Sequence, residues 1–352
     1  MLKIDQELGQ LTLDLVNISS VSQDEKAISN QVQESLGLVK HLKVTRINNS
    51  IIAQTNFGHN KRVVIAGHLD TVPANHNFPG KKIDNEIVGL GSVDMKSGIA
   101  AALKLAHDIS QAKYDITYLF YESEEIETKY NGLELITQQS KDLLNCDFAI
   151  LMEPTNGIIE IGCQGSLRFE VSAKGKRSHS ARWWNGKNAI HDLTNLLQIL
   201  NSYKSREPVI DGYKFREGLQ AVKITGGVAG NVVPDLVTVN INHRFAPDTT
   251  PQAAEENMKK LFKDFNFKLI DAAASAPTGL NNELIKEFIS VIGTDIAPKF
   301  GWTDVARFAS AGIPAINFGP GDPNLAHHPD EKVTIKQIED VFNSLKKWLT
   351  TK

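Results

Sequence analysis

A histidine and an aspartate stand two residues apart where an apolar run of the sequence ends. His68 and Asp70 follow the apolar residues 63–66, which predict a buried strand, and Pro73 then stops the strand. Side chains two apart on a strand leave the same face, so both would project at its carboxyl end, where open α/β sheets bind ligands. A histidine there can bind a metal ion while the carboxylate holds its ring. The alternative is a loop histidine capped by an aspartate.

Several other segments repeat this layout, in which an apolar strand or a glycine-rich loop leads into a carboxylate or a histidine. A single acidic residue at the end of a strand is usually exposed to solvent and has no further role. Several such residues at the ends of different strands are harder to explain by solvent exposure alone. The segments are residues 89–98, 116–125, 148–153 and 315–331. The candidate residues are His68, Asp70, Asp94, Glu124, Glu125, Glu153 and His327.

The residue types in this set favour a hydrolytic metal site. Two histidines and several carboxylates, without a cysteine, suit zinc or a similar divalent ion. A single catalytic zinc needs only about three protein ligands, so a two-metal site with one bridging carboxylate uses the set better. The four positive charges of two such ions would be cancelled by three carboxylate ligands and one hydroxide, which keeps the desolvation cost of a cleft site low.

The composition is that of an ordinary globular chain. Its 352 residues favour two domains, and 41% hydrophobic and 22% charged residues are common values. A net charge of −3 and the lack of a long Lys/Arg run argue against a nucleic-acid surface. We expect no membrane association, since no segment approaches the roughly 18–20 apolar residues of a membrane span and the N-terminus has no apolar signal core.

The two cysteines do not indicate a disulfide-bonded or zinc-binding framework. Cys146 and Cys163 are widely separated, so they make neither a disulfide pattern nor a zinc ribbon. We interpret them as small buried hydrophobic residues with reduced thiols, which predicts a cytoplasmic protein.

Alternating strand and helix patterns predict an α/β fold with a mixed, mainly parallel sheet flanked by helices. We assign residues 1–165 and 276–352 to this domain, and residues 166–275 to an inserted α+β two-layer sandwich. The predicted strands are 63–66, 116–121, 148–152, 167–175, 219–224, 235–244, 267–270 and 313–318. The predicted helices are 99–109, 188–203, 250–265, 281–292 and one from about 334.

In combination, the motifs resemble those of the co-catalytic zinc amidohydrolases and peptidases, which include carboxypeptidase G, acetylornithine deacetylase, aminoacylase and succinyl-diaminopimelate desuccinylase. The resemblance covers nearly the whole chain, including the insert. It implies a catalytic zinc-peptidase-like domain with two Zn²⁺ ions per chain, for which Co²⁺ could substitute, and a homodimer formed through the insert, which is also a lid. The motifs are Gly67-His68-Leu69-Asp70-Thr71-Val72-Pro73, Gly91-Ser92-Val93-Asp94-Met95-Lys96-Ser97-Gly98, Ser123-Glu124-Glu125, Glu153-Pro154, and His327 four residues before Glu331.

The resemblance implies a ligand for each metal position. Asp94 would bridge both ions, His68 and Glu153 would complete one site, and Glu125 and His327 would complete the other. It also implies a cis peptide bond after Asp94.

The same resemblance implies that Glu124 is the general base, which takes a proton from the attacking water and passes it to the leaving nitrogen. Asp70 would orient the ring of His68. The residues alone leave two alternatives open: Glu124 and Glu125 could exchange roles, and His328 could replace His327. The order of the family motif favours Glu124, and the spacing to Glu331 favours His327.

Three motifs in or next to the insert, at residues 162–168, 178–191 and 226–234, occur together with segments 302–308 and 317–323. This combination is similar to that of the family members that remove the succinyl group from N-succinyl-LL-2,6-diaminopimelate, of the type found in actinobacteria. This small-molecule substrate belongs to bacterial lysine and cell-wall biosynthesis. The resemblance implies that His179 reaches a partner's active site and stabilises the oxyanion there. The residues expected to bind the substrate are Arg244, Asn231, Gly319 and Gly321, with Arg244 and the backbone amides near the two glycines on its carboxylates. The alternatives are a turn histidine at 179 and a strand-end ion pair at 244.

One departure concerns the substrate. Gram-negative relatives carry arginines at the positions of Cys163 and Gln164, so carboxylate recognition would differ here, with Arg168 or Arg182 as candidates. Other readings are a different acyl-amino-acid hydrolase, such as an acetylornithine deacetylase or a dipeptidase or carboxypeptidase, and a metal-free binding or scaffold protein. The complete ligand set argues against the scaffold.

Overall fold

A computed structural model describes residues 1–351 of the chain. The chain divides into two compact units. The first unit contains Met1–Ile161, Gly279–Ala297 and Arg307–Lys352, and the second contains Gly162–Thr278 and Pro298–Ala306.

The strands and helices follow the predicted alternation. The strands are β1 Lys43–Ile47, β2 Ser50–Gln54, β3 Arg62–His68, β4 Lys81–Ile83, β5 Glu86–Val88, β6 Asp115–Tyr121, β7 Phe148–Leu151, β8 Ile159–Ile161, β9 Gly165–Lys174, β10 Ser178–His179, β11 Val209–Ile210, β12 Tyr213–Lys214, β13 Gly218–Gly226, β14 Val232–Val233, β15 Leu236–Phe245, β16 Asn266–Ala273, β17 Ile296–Pro298, β18 Ala315–Asn317 and β19 Lys332–Thr334. The helices are α1 Leu8–Val16, α2 Lys26–Gly37, α3 Lys96–Asp108, α4 Gly132–Gln139, α5 Leu193–Ser202, α6 Pro251–Leu261, α7 Glu283–Ile292, α8 Val305–Ser310 and α9 Ile335–Thr350. Short 3₁₀ turns occur at Thr128–Tyr130, Lys141–Leu144, Ser180–Asn185 and Pro323–Leu325.

The first unit is built on a mixed eight-stranded sheet, in the order β1-β2-β6-β3-β7-β18-β8-β17. The four central strands β6, β3, β7 and β18 run parallel, and β1, β2 and β8 pair antiparallel with their neighbours. Nearly every residue of the central strands is buried, as expected for parallel strands covered on both faces. The predicted fold class is confirmed, and the parallel part brings four carboxyl ends to one edge.

Helices and a small sheet support this edge. Helix α3 lies on β3 and β6 and packs against α1 and α9, while α2 lies on β1 and β2. Strands β19, β5 and β4 form a separate three-stranded antiparallel sheet. The loop after β5, residues 89–95, leads directly into α3.

The second unit contains a four-stranded antiparallel sheet in the order β13-β15-β9-β16. Helices α5 and α6 pack against the sheet and share its apolar core. Inward residues alternate along β15, where Val237, Val239 and Ile241 are buried. The alternation arises because side chains two apart leave the same face of a strand.

Helix α5 begins later than the sequence predicts. The apolar spacing suggested a helix from Asn188, but its side-chain oxygen accepts a hydrogen bond from the backbone N–H of Ile190 at 2.9 Å. Such a local bond stabilises a turn in competition with the helix. The helix therefore starts at Leu193.

Among residues 1–351, every helix is either too short or too polar to span a lipid bilayer.

Candidate metal centre

The candidate metal ligands of the first unit lie at the carboxyl ends of its parallel strands or in the loops next to them. His68 is the last residue of β3, and the Glu124–Glu125 pair follows β6 after a short turn. Glu153 follows β7, where Pro154 keeps the strand from continuing. Asp94 lies in the loop before α3, and His327 lies in the segment between β18 and β19.

Asp94 lies between the two histidines. Its Oδ1 atom is 3.0 Å from Nε2 of His68, and its Oδ2 atom is 3.5 Å from Nε2 of His327. The same His327 nitrogen lies 2.8 Å from Oε1 of Glu125. One carboxylate therefore presents a separate oxygen to each imidazole, which is the arrangement that a bridging ligand needs.

Three overlapping groups of donor atoms could each hold a metal ion, with all atoms of a group within 4.8 Å of one another. Imidazole nitrogen and carboxylate oxygen are the donors that zinc takes in hydrolytic sites, so the residues present fit such an ion. Asp94, His68 and Glu125 each belong to two groups. The groups are His68, Asp94 and Glu153; His68, Glu124 and Glu125; and Asp94, Glu125 and His327.

The carboxylates hold protons on both imidazoles. Burial opposes a charge on His68, yet its hydrogen bonds to Asp70 and Asp94 raise its pKa well above the ordinary value. Hydrogen bonds to Asp94 and Glu125 raise the pKa of His327 to about 10. Burial likewise opposes ionisation of Asp94, but the hydrogen bonds from His327 and His68 hold its pKa well below the usual range. A metal ion that binds these nitrogens must therefore displace protons.

Asp70 is buried and lies behind His68, outside all three donor groups. Nδ1 of His68 is 3.1 Å from the backbone oxygen of Asp70 and 3.4 Å from its Oδ1 atom. The Asp70 carboxylate also accepts the backbone N–H groups of Glu124 at 3.0 Å and Glu125 at 3.1 Å. The hydrogen bond that Nδ1–H of His68 donates to Asp70 leaves the other ring nitrogen, Nε2, directed at Asp94.

The structure separates the residues of the two pairs that the sequence left open. His327 contacts Asp94 and Glu125, whereas the neighbouring His328 accepts the backbone N–H of Asp330 on its Nδ1 atom at 3.1 Å. Glu125 shares a donor group with Asp94 and His327. Glu124 shares one only with His68 and Glu125.

Sequence reasoning missed the buried carboxylate that holds the Asp94 loop. In the sequence, Glu331 serves only as a spacing marker for His327. Its side chain accepts the backbone N–H groups of Gly91, Val93 and Asp94 at 2.8–3.0 Å, and burial raises its pKa to about 7. The sequence did show an acidic residue four positions after His327. Nothing in the sequence indicated that three backbone N–H groups would donate to it, because backbone groups have no sequence signature.

Lys96 is a second residue that the sequence did not single out. It is buried, and its Nζ atom donates to the backbone oxygen of Ile18 at 2.7 Å. Burial lowers its pKa to about 7.

The peptide bond between Asp94 and Met95 is cis, as the motif resemblance predicted.

In the second unit, His179 and Asn231 lie next to each other and are exposed. Strand β10 pairs with β14 so that His179 stands opposite Val232, and the backbone oxygen of Asn231 accepts the N–H of Ser180 at 2.9 Å. Nδ1 of His179 accepts the N–H of Ala181 at 3.0 Å. Because that nitrogen is an acceptor, the proton of the neutral ring is on Nε2.

Arg244 is half-buried on β15, on the sheet face opposite to Phe245. No carboxylate of the described residues pairs with its guanidinium. Burial lowers its pKa. In contrast, Arg168 on β9 is ion-paired, with Nη2 2.9 Å from Oδ2 of Asp271.

Gly319 and Gly321, two expected substrate contacts, lie in one loop of the first unit. The backbone N–H of Gly319 donates to Oγ1 of Thr155 at 3.1 Å. Gly321, in the same loop of the first unit, adopts φ +92, and its backbone oxygen accepts the N–H of Asn156 at 2.8 Å.

Comparison with known proteins gives relatives along the full chain. The model of the family described as Peptidase family M20/M25/M40 matches residues 64–351. A Mycobacterium tuberculosis protein assigned as a succinyl-diaminopimelate desuccinylase is 44% identical over 352 residues, covering 99% of both chains. A succinyl-diaminopimelate desuccinylase of Corynebacterium glutamicum is 42% identical over 351 residues, covering 97% of this chain and 95% of that one.

The fold is shared with solved structures. An M20 family metallo-carboxypeptidase from Sulfolobus solfataricus has a TM-score of 0.78 at 18% identity, covering 97% of this chain and 98% of its own. The resemblance inferred from the motifs is thereby confirmed along the whole chain. The chain belongs to the peptidase family M20/M25/M40.

Proposed function

We propose that the chain is a metal-dependent amidohydrolase that converts N-succinyl-LL-2,6-diaminopimelate to succinate and LL-2,6-diaminopimelate, a step of lysine and cell-wall biosynthesis. The observation that carries the chemistry is the position of Asp94, with one carboxylate oxygen 3.0 Å from His68 and the other 3.5 Å from His327. The choice of substrate is supported by relatives at 44% and 42% identity that bear the name of this activity.

Two Zn²⁺ ions fit the donor groups. In this proposal Asp94 would be shared by both ions, His68 and Glu153 would complete one site, and Glu125 and His327 would complete the other. The overlap of the donor groups at Asp94 supports this division. When bound, zinc supplies a Lewis acid for the amide carbonyl and makes water more acidic.

Glu124 is proposed as the general base. Its side chain belongs to a donor group with His68 and Glu125, and its backbone N–H is fixed on Asp70. The Glu124 carboxylate takes a proton from the water whose oxygen bonds to the succinyl carbonyl carbon. It then gives that proton to the nitrogen as the C–N bond breaks, so that the amine leaves neutral.

Arg244 is proposed to bind a substrate carboxylate. The substrate carries several carboxylates, and a planar guanidinium binds one through two parallel hydrogen bonds. A half-buried arginine without a partner among residues 1–351 is available for this contact, whereas Arg168 already serves Asp271. Asn231, Gly319 and Gly321 remain candidates for the other polar contacts.

A homodimer through the second unit is part of the proposal. Strand β13 is an edge strand of its sheet, and Val222 and Ile224 on it are 66% and 52% exposed. Exposed edge strands readily pair with another chain. His179 is exposed and carries its proton on Nε2, so it can donate to an oxyanion in the active site of the partner.

A substrate panel tests the reaction. Zinc-loaded protein should cleave N-succinyl-LL-2,6-diaminopimelate with a kcat/KM at least about 100-fold above that for N-acetylornithine or a dipeptide. Efficient cleavage of N-acetylornithine with none of the succinyl compound would instead identify another acyl-amino-acid hydrolase. Failure to bind zinc, with no activity after zinc is added, would favour a scaffold protein.

Matched arginine variants test substrate binding. Arg244→Met should raise KM about 10- to 100-fold, since a charge-assisted hydrogen bond to substrate is lost. Arg216→Met is the control, because Arg216 is an exposed arginine of the same unit, 3.5 Å from Glu207, and should leave KM unchanged. Equal KM values for the two variants would remove Arg244 from the site.

Mixing two inactive variants tests the dimer. His179→Ala and Glu124→Gln chains should each be nearly inactive alone. If His179 serves the partner's site, random mixing should restore about one quarter of the wild-type activity, because half of the dimers are mixed and each has one intact site. If mixing restored no activity, His179 would not act in the active site of the partner.

A further inference from the structure

The segment of residues 20–25 touches the turn that carries Glu124 and Glu125. Glu25 is fully buried in the first unit. Its Oε1 atom accepts the backbone N–H of Ser123 at 3.1 Å, the Ser123 hydroxyl at 3.0 Å and the backbone N–H of Gln23 at 2.8 Å. One carboxylate oxygen thus binds the residue directly before Glu124 twice.

Ser123 needs this support because of its backbone conformation. Its φ is +59, in the left-handed region that residues other than glycine rarely adopt. Such a conformation costs free energy and persists only where surrounding contacts determine it. The two bonds to Glu25 are contacts of this kind, and they set the direction in which the chain enters Glu124.

The segment that carries Glu25 is itself attached to the loop after β3. Ser22 and Thr71 are joined by a backbone hydrogen bond of 3.1 Å, and Thr71 and Ser20 by another of 2.9 Å. The hydroxyl of Ser22 donates to Oδ2 of Asp70 at 2.7 Å. Asp70 in turn accepts the N–H groups of Glu124 and Glu125. The segment therefore contacts the turn directly at Ser123, and it contacts the two glutamates indirectly through Asp70.

We propose that Glu25 is a positioning residue for the reaction: it fixes the Ser123 turn and thereby places the carboxylates of Glu124 and Glu125. It lies before residues 64–351, which match the family model. The proposal rests on the proposed function only for the role of Glu124 as base. Glu25 acts through Ser123 and touches no donor atom of the metal groups.

The test compares Glu25→Ala with Asp115→Ala. Asp115 is also buried and also holds a loop, since it accepts the N–H groups of Phe57 at 2.6 Å and His59 at 3.0 Å, but it lies at the opposite end of β6. Both variants should be less stable than wild type. Only E25A should lower kcat, by about 10- to 100-fold with little change in KM, as expected for a displaced base.

Hydrogen–deuterium exchange supplies a readout that does not need activity. In E25A, amide exchange of residues 122–126 should become faster by at least about tenfold, whereas D115A should accelerate residues 55–59 only. Unchanged exchange at 122–126 in folded E25A would overturn the proposal. If the wild type cleaves no acyl-amino acid, the proposed function fails, but the exchange comparison still decides the role of Glu25.

Two conservative variants separate position from charge. Glu25→Gln keeps an oxygen that can accept the same bonds, so kcat should return to within about threefold of wild type. Glu25→Asp keeps the charge but shortens the reach, so kcat should fall as in E25A. If E25A does not fold, E25D is measured in its place. Wild-type values of kcat and of amide exchange in E25D would contradict the proposal.

Discussion

The Asp70 carboxylate accepts the backbone N–H of Glu124 on its Oδ1 atom at 3.0 Å. The same oxygen lies 3.4 Å from Nδ1 of His68. One buried side chain therefore sets the ring of a proposed metal ligand and the turn of the proposed base together. A change at Asp70 disturbs both, whereas a change of the Glu124 side chain disturbs only one.

Replacement of Asp70 should have a double effect. In Asp70→Ala we expect zinc affinity to fall about 10- to 100-fold, because the His68 ring loses its partner. Turnover at saturating zinc should also fall about 100-fold, because the Glu124–Glu125 turn loses its acceptor. Calorimetric zinc titration and steady-state kinetics check the two effects, and wild-type turnover at saturating zinc would show that Asp70 serves the metal ligand alone.

Glu124→Gln should separate chemistry from binding. Turnover should fall by about 10²- to 10⁴-fold, since the amide cannot accept the proton. Zinc content and the unfolding temperature should stay at the wild-type values. Glu127→Gln is the control, as Glu127 is exposed three residues further along the same loop. Near-normal turnover of E124Q would reassign the base to another residue.

Zinc binding should strengthen as the pH rises. His68 and His327 have raised pKa values without metal, about 10 for His327, so both imidazoles are protonated at neutral pH and zinc must displace those protons. Each displaced proton makes affinity rise up to about tenfold per pH unit, below the pKa of the group that loses it. Titrations between pH 6 and 8, in buffers of different ionisation enthalpy, measure the protons released; a pH-independent affinity would contradict the prediction.

The same shifts predict how the metal-free chain unfolds. A histidine whose pKa is raised in the folded state stabilises the fold fully below its unfolded pKa of about 6.5, and this stability is lost as the pH rises through the folded value. His68 and His327 should therefore lower the free energy of unfolding of the metal-free chain between about pH 7 and 10, whereas Lys96, whose pKa burial lowers to about 7, acts in the opposite direction over the same range. Urea unfolding after chelation isolates the histidine contribution as a difference: between pH 7 and 10 the wild type should lose stability relative to His327→Gln, and a constant difference would contradict the prediction.

Gly98→Ala should destabilise the first unit. A Cβ atom at Gly98 would lie 2.3 Å from the backbone oxygen of Met152, so helix α3 would have to move from the residue that precedes Glu153. Overpacking of this kind costs about 1–3 kcal/mol. Gly37→Ala, at the end of α2 with no atom within 4 Å of the added carbon, should be neutral or slightly stabilising. Urea unfolding of both variants checks the difference.

The sequence predicts the elements whose ends carry chemistry. Strands β3, β6 and β7 are continuous apolar runs, and a buried parallel strand has that pattern. The residues that follow them, such as His68 and Glu153, can therefore be placed at one edge of the sheet from the amino-acid pattern alone. The start of α5 was less predictable, because the Asn188 turn competes with a helical pattern.

The contacts that hold the ligands were not predictable in the same way. Glu25 and Glu331 bind backbone N–H groups, and every residue except proline carries one, so sequence gives no sign of the partner. The bond between the Gly319 amide and the Thr155 hydroxyl was equally unpredictable, because it depends on how two loops meet. Side-chain donor sets could be inferred from residue types, whereas backbone partners required the fold.

Strand β18 lies beside β7 in the sheet, although the whole second unit is encoded between them. During synthesis, the growing chain carries His68, Asp94 and Glu153 long before the segment with β18 and His327 emerges. Domains fold from the N-terminal end as they leave the ribosome. The second histidine at Asp94 is thus made well after the first, and a nascent chain that ends before it lacks one of the proposed metal ligands.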